Sequence, residues 1–180
     1  MLLKNCTIVT EGKKDRRDLL LEDGKIARIS PEIDGEGIDI NSKLVLPGII
    51  DPHVHFREPG MTHKEDLYTG SKAAAAGGIT TFLDMPNTKP ATTTIELLDK
   101  KRELAKKSIV NYGFHLAASR ENIDEIKKAD NIASVKLFMN ESTGDLMITD
   151  DTVLEKIFGS GRLITVHAEE QMVEKAIGLA

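Results

Sequence analysis

The chain opens with stretches in which apolar and polar positions alternate, and the rhythm changes near residue 47. Alternation with period two marks a half-buried strand, whereas apolar residues three and four apart mark a helix. Residues 2–9, 18–22 and 25–30 read as strands, and Glu22-Asp23-Gly24-Lys25 supplies an Asp-Gly hairpin turn between the last two. Residues 39–46 give short extended pieces leading to Pro47-Gly48. Beyond them, strands and helices alternate. The pattern predicts strands over 49–54, 80–84, 109–116, 134–138 and 163–166, with helices over 63–76, 94–107, 122–128, 153–158 and from 169 onward. Thr62/Glu65, Thr93/Glu96 and Thr152/Glu155 have the spacing of capping boxes, in which each side chain satisfies a free N–H of the first helical turn.

This order predicts an α/β chain with a small β domain over 1–46 and parallel βα units over 47–180. About five units are present, whereas a closed (β/α)8 barrel has eight and needs about 250 residues. A doubly wound open sheet competes, and periodicity leaves both architectures standing. No Gly-rich phosphate turn follows the first βα strand, which argues against a dinucleotide-binding version.

Composition narrows the picture. With 40% hydrophobic and 29% charged residues among 180, the chain is able to bury a real core. Aromatic residues make up only 4% and Trp is missing, so packing falls to aliphatic side chains. The net charge of -5 comes from 24 basic and 29 acidic residues without a basic stripe, which points away from nucleic acid. Alternating charges over 96–107 and 121–128 read as solvated helix faces. Cys6 is the single cysteine, which excludes an intrachain disulfide and a thiolate metal cluster, and it reads as a small apolar strand residue. No signal-peptide core and no membrane-length apolar run stand out, so a soluble, cytoplasmic protein is expected.

The chemistry concentrates at strand ends. In Asp51-Pro52-His53-Val54-His55-Phe56-Arg57, side chains two apart share a face, so His53 and His55 point the same way and Arg57 follows if the backbone stays extended. Two imidazoles so placed can hold one divalent metal. An isolated pair of this kind would more often be a hydrogen-bonded polar patch, but this one ends an apolar strand, where barrel active sites sit. Lys136 lies inside the apolar strand Ser134-Val135-Lys136-Leu137-Phe138. Burial lowers an amine's pKa, and a neutral amine can take up carbon dioxide as a carbamate; a buried stem with its head in water is the plainer alternative. His167 ends another apolar strand, and Met85-Pro86-Asn87-Thr88 ends the second barrel strand, where Asn87 also suits a simple turn.

The run Leu46-Pro47-Gly48-Ile49-Ile50-Asp51-Pro52-His53-Val54-His55-Phe56-Arg57-Glu58-Pro59-Gly60 closely resembles the signature of the dihydroorotases, among the cyclic amidohydrolases. Ala73-Ala74-Ala75-Ala76-Gly77-Gly78-Ile79-Thr80-Thr81, Asp84-Met85-Pro86-Asn87-Thr88, Val135-Lys136-Leu137-Phe138 and His167-Ala168-Glu169 match in order. The resemblance implies the N-terminal part of a TIM-like (β/α)8 barrel carrying two Zn2+. By motif position, His53 and His55 would bind the first zinc, Lys136 would be carboxylated and bridge both, and His167 would bind the second. Arg57 and Asn87, with His55 beside them, would bind the substrate. The implied reaction is reversible hydrolysis of (S)-dihydroorotate to N-carbamoyl-L-aspartate in pyrimidine synthesis. Implied partners are that small molecule, and a second copy or other pyrimidine enzymes, with no nucleic acid and no membrane.

An allantoinase or a hydantoinase/dihydropyrimidinase is the nearest rival, and a catalytically dead dihydroorotase-like binding protein is another. Arg57 argues against the first two, because their neutral rings need no cation there. Four metal ligands in place argue against the last. The family's further zinc histidine and its proton-carrying aspartate come from later strands, so no catalytic acid or base is assigned within 1–180 and the isolated chain is expected to be inactive. Asp150 and Asp151 read as capping residues, and His63 as solvent-facing. His115 has no role that matches the family pattern. Ser142 and Thr143 fall in a loop that folds over substrate in some relatives.

Overall fold

The computed structural model describes residues 1–142 and 144–180, so Thr143 lies outside the described residues. The chain divides into two compact units, Met1–Gly48 and Ile49–Ala180. In the first, β1 (Leu2–Thr10) pairs antiparallel with β2 (Lys13–Glu22), and β2 with β3 (Lys25–Ser30). Asp23 and Gly24 both have positive φ, as the two-residue hairpin requires. Two short strands, β4 (Ile38–Asp39) and β5 (Leu44–Val45), run parallel to β1. Asp18 is buried here and accepts N–H bonds from Asn5 (2.9 Å) and Ile33 (3.0 Å), which hold its carboxyl below the usual range. Cys6 is fully buried.

The second unit is a run of parallel strands with helical crossovers. β6 (Ile49–Val54) pairs with β7 (Ile79–Asp84), and β7 with β8 (Asn111–Phe114). The chain continues through His115 into β9 (Leu116–Ala117), which pairs with β10 (Val135–Phe138), and β10 pairs with β11 (Ile164–His167). The backbone N–H of His115 bonds to Asp84 and that of Leu116 to Ser134, so β8 and β9 are one strand serving both neighbours. Strand order therefore follows chain order. A doubly wound sheet reverses its order partway, and no reversal occurs among these strands.

The connecting helices are α1 (Leu67–Ala76), α2 (Ile95–Ala105), α3 (Ile123–Lys128) and α4 (Asp151–Phe158), and α5 (Gln171–Leu179) follows β11. One core gathers Leu67, Phe82, Leu98, Ala105 and Phe114 between the first strands and their helices. A second collects Leu116, Ile126, Val135, Leu137, Leu154 and Ile157.

The helices begin where expected to within a few residues, but the three capping boxes do not form. Asp66, Thr94 and Asp150 occupy the N-cap positions instead. Asp66 accepts from Tyr68 and Thr69, Thr94 from Leu97, and Asp150 from Val153. A carboxylate or hydroxyl one to four positions away reached the free N–H groups better, and tertiary packing chose among them. Lys101 is a second correction. The alternating charges over 96–107 place it on a solvated face, yet it is fully buried.

Candidate active site

Pro52 has no N–H, and the β6–β7 register shifts between Asp51 and Val54. Here the strand is held by other bonds. The His53 N–H meets the Asp51 carboxylate (3.1 Å), the Phe56 N–H meets that of Asp84 (2.8 Å), and the Met85 N–H meets the Val54 carbonyl (2.9 Å). The rings of His53 and His55 lie 5.2 Å apart between centroids, tilted by 52°. Arg57 has φ +64°, so the alternation of faces stops before it and the extended-backbone expectation fails there. A turn places it instead. Its Nη1 is buried without a hydrogen-bond partner among the described residues.

Asn87 is buried at the end of the next strand, and its Oδ1 lies 2.8 Å from His55 Nδ1. A carbonyl oxygen only accepts, so Nδ1 carries the proton and His55 Nε2 keeps a free lone pair. The same bond engages Oδ1 and leaves the amide N–H groups of Asn87 uncommitted among the described residues. The rim loops carrying Arg57 and Asn87 are locked together at Gly60. The Lys89 N–H bonds to Pro59, and a Cβ on Gly60 would lie 2.0 Å from the Lys89 carbonyl oxygen.

Lys136 stands in the middle of β10 with 4% of its surface exposed, and no carboxylate pairs with it among the described residues. Burial lowers its pKa. In the next strand, His167 lies two positions beyond Thr165, the register partner of Lys136. Its Nε2 is 3.7 Å from Glu169. Partial withdrawal from water, then Lys136 and His167 nearby, hold His53 below its ordinary pKa. Burial does the same to His55. Both imidazoles are thus biased toward the neutral form that ligates metal. Among the described residues, no three His, Cys, Asp or Glu side chains converge closely enough to hold a metal by themselves.

Two groups escaped the sequence reading. Lys101 on α2 pairs with Asp84 at 2.7 Å, both side chains fully buried, and donates to the Met85 carbonyl (2.8 Å). Asp84 in turn holds the Phe56 N–H, so this pair pins both strand ends that carry the site. Leu98, Lys101 and Ala105 are spaced three and four apart, a signal that put Lys101 on the buried stripe. His115 is buried, bonded to Ser134 Oγ (2.7 Å) and the Pro52 carbonyl (3.1 Å). His63 is exposed.

The paired imidazoles and the buried Lys136 lie toward the ends of parallel strands, and the chain belongs to the amidohydrolase family, whose model matches residues 44–177. Within it, the sequence is similar to dihydroorotases. That of Methanosarcina acetivorans is 42% identical over 179 residues, covering 94% of this chain and 38% of that protein. That of Fusobacterium nucleatum is 48% identical over 113 residues, covering 61% of this chain and 27% of that protein. Among solved structures, L-hydantoinase (dihydropyrimidinase) from Arthrobacter aurescens matches with a TM-score of 0.86 at 31% identity, over 98% of this chain and 42% of the other. The chain thus spans well under half the length of these relatives.

Proposed function

We propose that the protein is a zinc-dependent dihydroorotase, interconverting (S)-dihydroorotate and N-carbamoyl-L-aspartate in the cytoplasm for pyrimidine synthesis. In this reading, residues 1–46 form part of a small β domain and 47–180 the first five units of a (β/α)8 barrel. The observation that carries it is Arg57, whose buried Nη1 has no hydrogen-bond partner among the described residues and whose charge acts on His55. A buried guanidinium nitrogen without a partner is costly, and a planar carboxylate is its natural complement. Dihydroorotate has such a carboxylate and a hydantoin ring has none.

His53 and His55 would hold one zinc, His167 the second, and Lys136 would bridge the two. For the bridge, the neutral Lys136 amine would form an N–C bond to carbon dioxide as one C=O π pair moves to oxygen, and would release its proton to solvent water, leaving an anionic carbamate. Bound zinc supplies a polarised carbonyl and a water of lowered pKa. Arg57 and the Asn87 amide would fix the substrate carboxylate, and the Asn87 Oδ1 keeps His55 in the tautomer whose Nε2 would be free to bind zinc.

The hydantoinase-like structures favour a second reading, a ring-opening amidohydrolase of neutral substrates. Assays of the zinc-loaded full-length protein with dihydroorotate, hydantoin and dihydrouracil decide between them. Arg57→Gln is expected to weaken dihydroorotate turnover at low substrate by about ten- to a hundredfold, and a neutral ring far less. Equal losses would mean that Arg57 only supports the fold. Zinc content of the purified protein tests the remaining alternative, a dead binding relative, which would hold none.

A further inference from the structure

We propose that His115 is a positioning residue for this site, an Nε2-protonated imidazole that ties Pro52, the residue in front of His53, to Ser134 and Thr165. The proposal rests on the reading of His53 as a metal ligand.

The contacts dictate the direction of every proton. Nε2 lies 3.1 Å from the Pro52 carbonyl oxygen, which can only accept, so Nε2 carries a hydrogen. Nδ1 lies 2.7 Å from Ser134 Oγ. The imidazole is buried, which favours the neutral ring, so Nδ1 accepts a hydrogen bond from the Ser134 hydroxyl. That hydroxyl is then spent, and Ser134 Oγ must accept from Thr165 Oγ1, 2.7 Å away. A one-way ladder therefore runs from Thr165 through Ser134 and His115 to Pro52. It reaches from β11 to β6 and passes over β7.

Its position gives it a task. Pro52 offers the sheet no N–H, and the β6–β7 pairing shifts register between Asp51 and Val54. The carbonyl is the only backbone handle at Pro52, and His115 holds it. The next residue is His53. Both nitrogens of His115 are engaged, so it has no lone pair left for a metal.

The test uses the full-length protein. A glutamine amide at position 115 can reach the place of Nε2 and donate to Pro52, whereas an asparagine amide reaches only as far as Nδ1. We expect His115→Gln to retain zinc affinity within about threefold, measured by chelator competition, and His115→Asn to lose about tenfold, the low end for partners that orient metal ligands. Nitrogen-15 spectra of the histidine rings should show His115 as the Nε2–H tautomer with and without zinc. Equal zinc loss in both variants would reduce His115 to a packing residue and overturn the proposal. So would an Nδ1–H, doubly protonated or metal-bound ring. A parent protein that binds no zinc would sink the metal reading itself, and the positioning role with it.

Discussion

Among the described residues, two lysines are buried under opposite circumstances, one paired and one unpaired. Lys101 has Asp84 at 2.7 Å and the Met85 carbonyl at 2.8 Å. Lys136 Nζ lies over the Phe138 ring, 5.4 Å from its centroid, and has no carboxylate among the described residues. Removing one partner of a buried pair leaves an uncompensated charge, so Lys101→Met should destabilise by about 3–5 kcal/mol in urea unfolding. Asp84→Asn added to it should recover about 1–2 kcal/mol, because a neutral amide still accepts the Phe56 N–H. A double variant no more stable than the single would refute the pairing argument. Lys136→Met behaves differently. The zinc-free protein should unfold at the same temperature or higher, since an unpaired buried amine goes, while zinc retention falls. A clear loss of zinc-free stability would mean that Lys136 is a structural residue.

At the scale of elements, the rim loops decide the site. Gly60 and Gly78 both have positive φ, but a Cβ meets the Lys89 backbone at the first and nothing within 4 Å at the second. Gly78→Ala therefore carries only the left-handed strain, about 1–2 kcal/mol. Gly60→Ala adds overpacking of about 1–3 kcal/mol and pushes the loops of Arg57 and Asn87 apart. Thermal unfolding and substrate KM should both separate the two variants, and similar values would show that the loops are not locked. The strand ladder also predicts a pH response. His115 faces Lys136, His53 and Asp84, and its folded-state pKa lies below the ordinary 6.5, chiefly through burial. On acidification the unfolded chain takes up the proton first, so this contribution is present above 6.5 and lost as pH falls through the folded value. The urea midpoint of the zinc-free protein should fall below pH 6.5. It should fall less steeply in His115→Gln, and identical profiles would assign the drop to other groups.

For the whole molecule, parallel strands in chain order are the feature on which the barrel reading rests. Among the described residues, no helix is long and apolar enough to cross a membrane. Ile49 and Ile50 on β6, Leu163 before β11, and Val173 and Ile177 on α5 remain exposed, and α5 buries no residue fully. Relatives run to more than twice this length. We therefore expect residues 1–180 alone to self-associate and show little dihydroorotate turnover, and a protein continuing through the relatives' remaining length to stay dispersed and turn over. Light scattering and a zinc-supplemented assay of both would check it. A monomeric, fully active 1–180 would require catalytic groups not recognised in this chain.

Much of this was written along the chain. The Asp23-Gly24 hairpin, the strand over 49–54 and the alternation of strands and helices follow from local rules, because backbone sterics and side-chain periodicity act over a few residues. His53 and His55 were legible for the same reason: two positions along one strand share a face whatever surrounds them. Caps were not, because several polar side chains near each helix start compete for the same N–H groups and packing selects among them. Nor was the turn at Arg57, where a positive φ overrides the strand's alternation. Asp84 with Lys101, His55 with Asn87, and His115 with Pro52 and Ser134 join residues 17 to 63 positions apart. Such pairs form only when parallel strands come into register and water is excluded between them, and burial then sets which group carries a proton. Local sequence thus determined the elements and the candidate ligands, while the closing of strand against strand decided their partners, tautomers and charge.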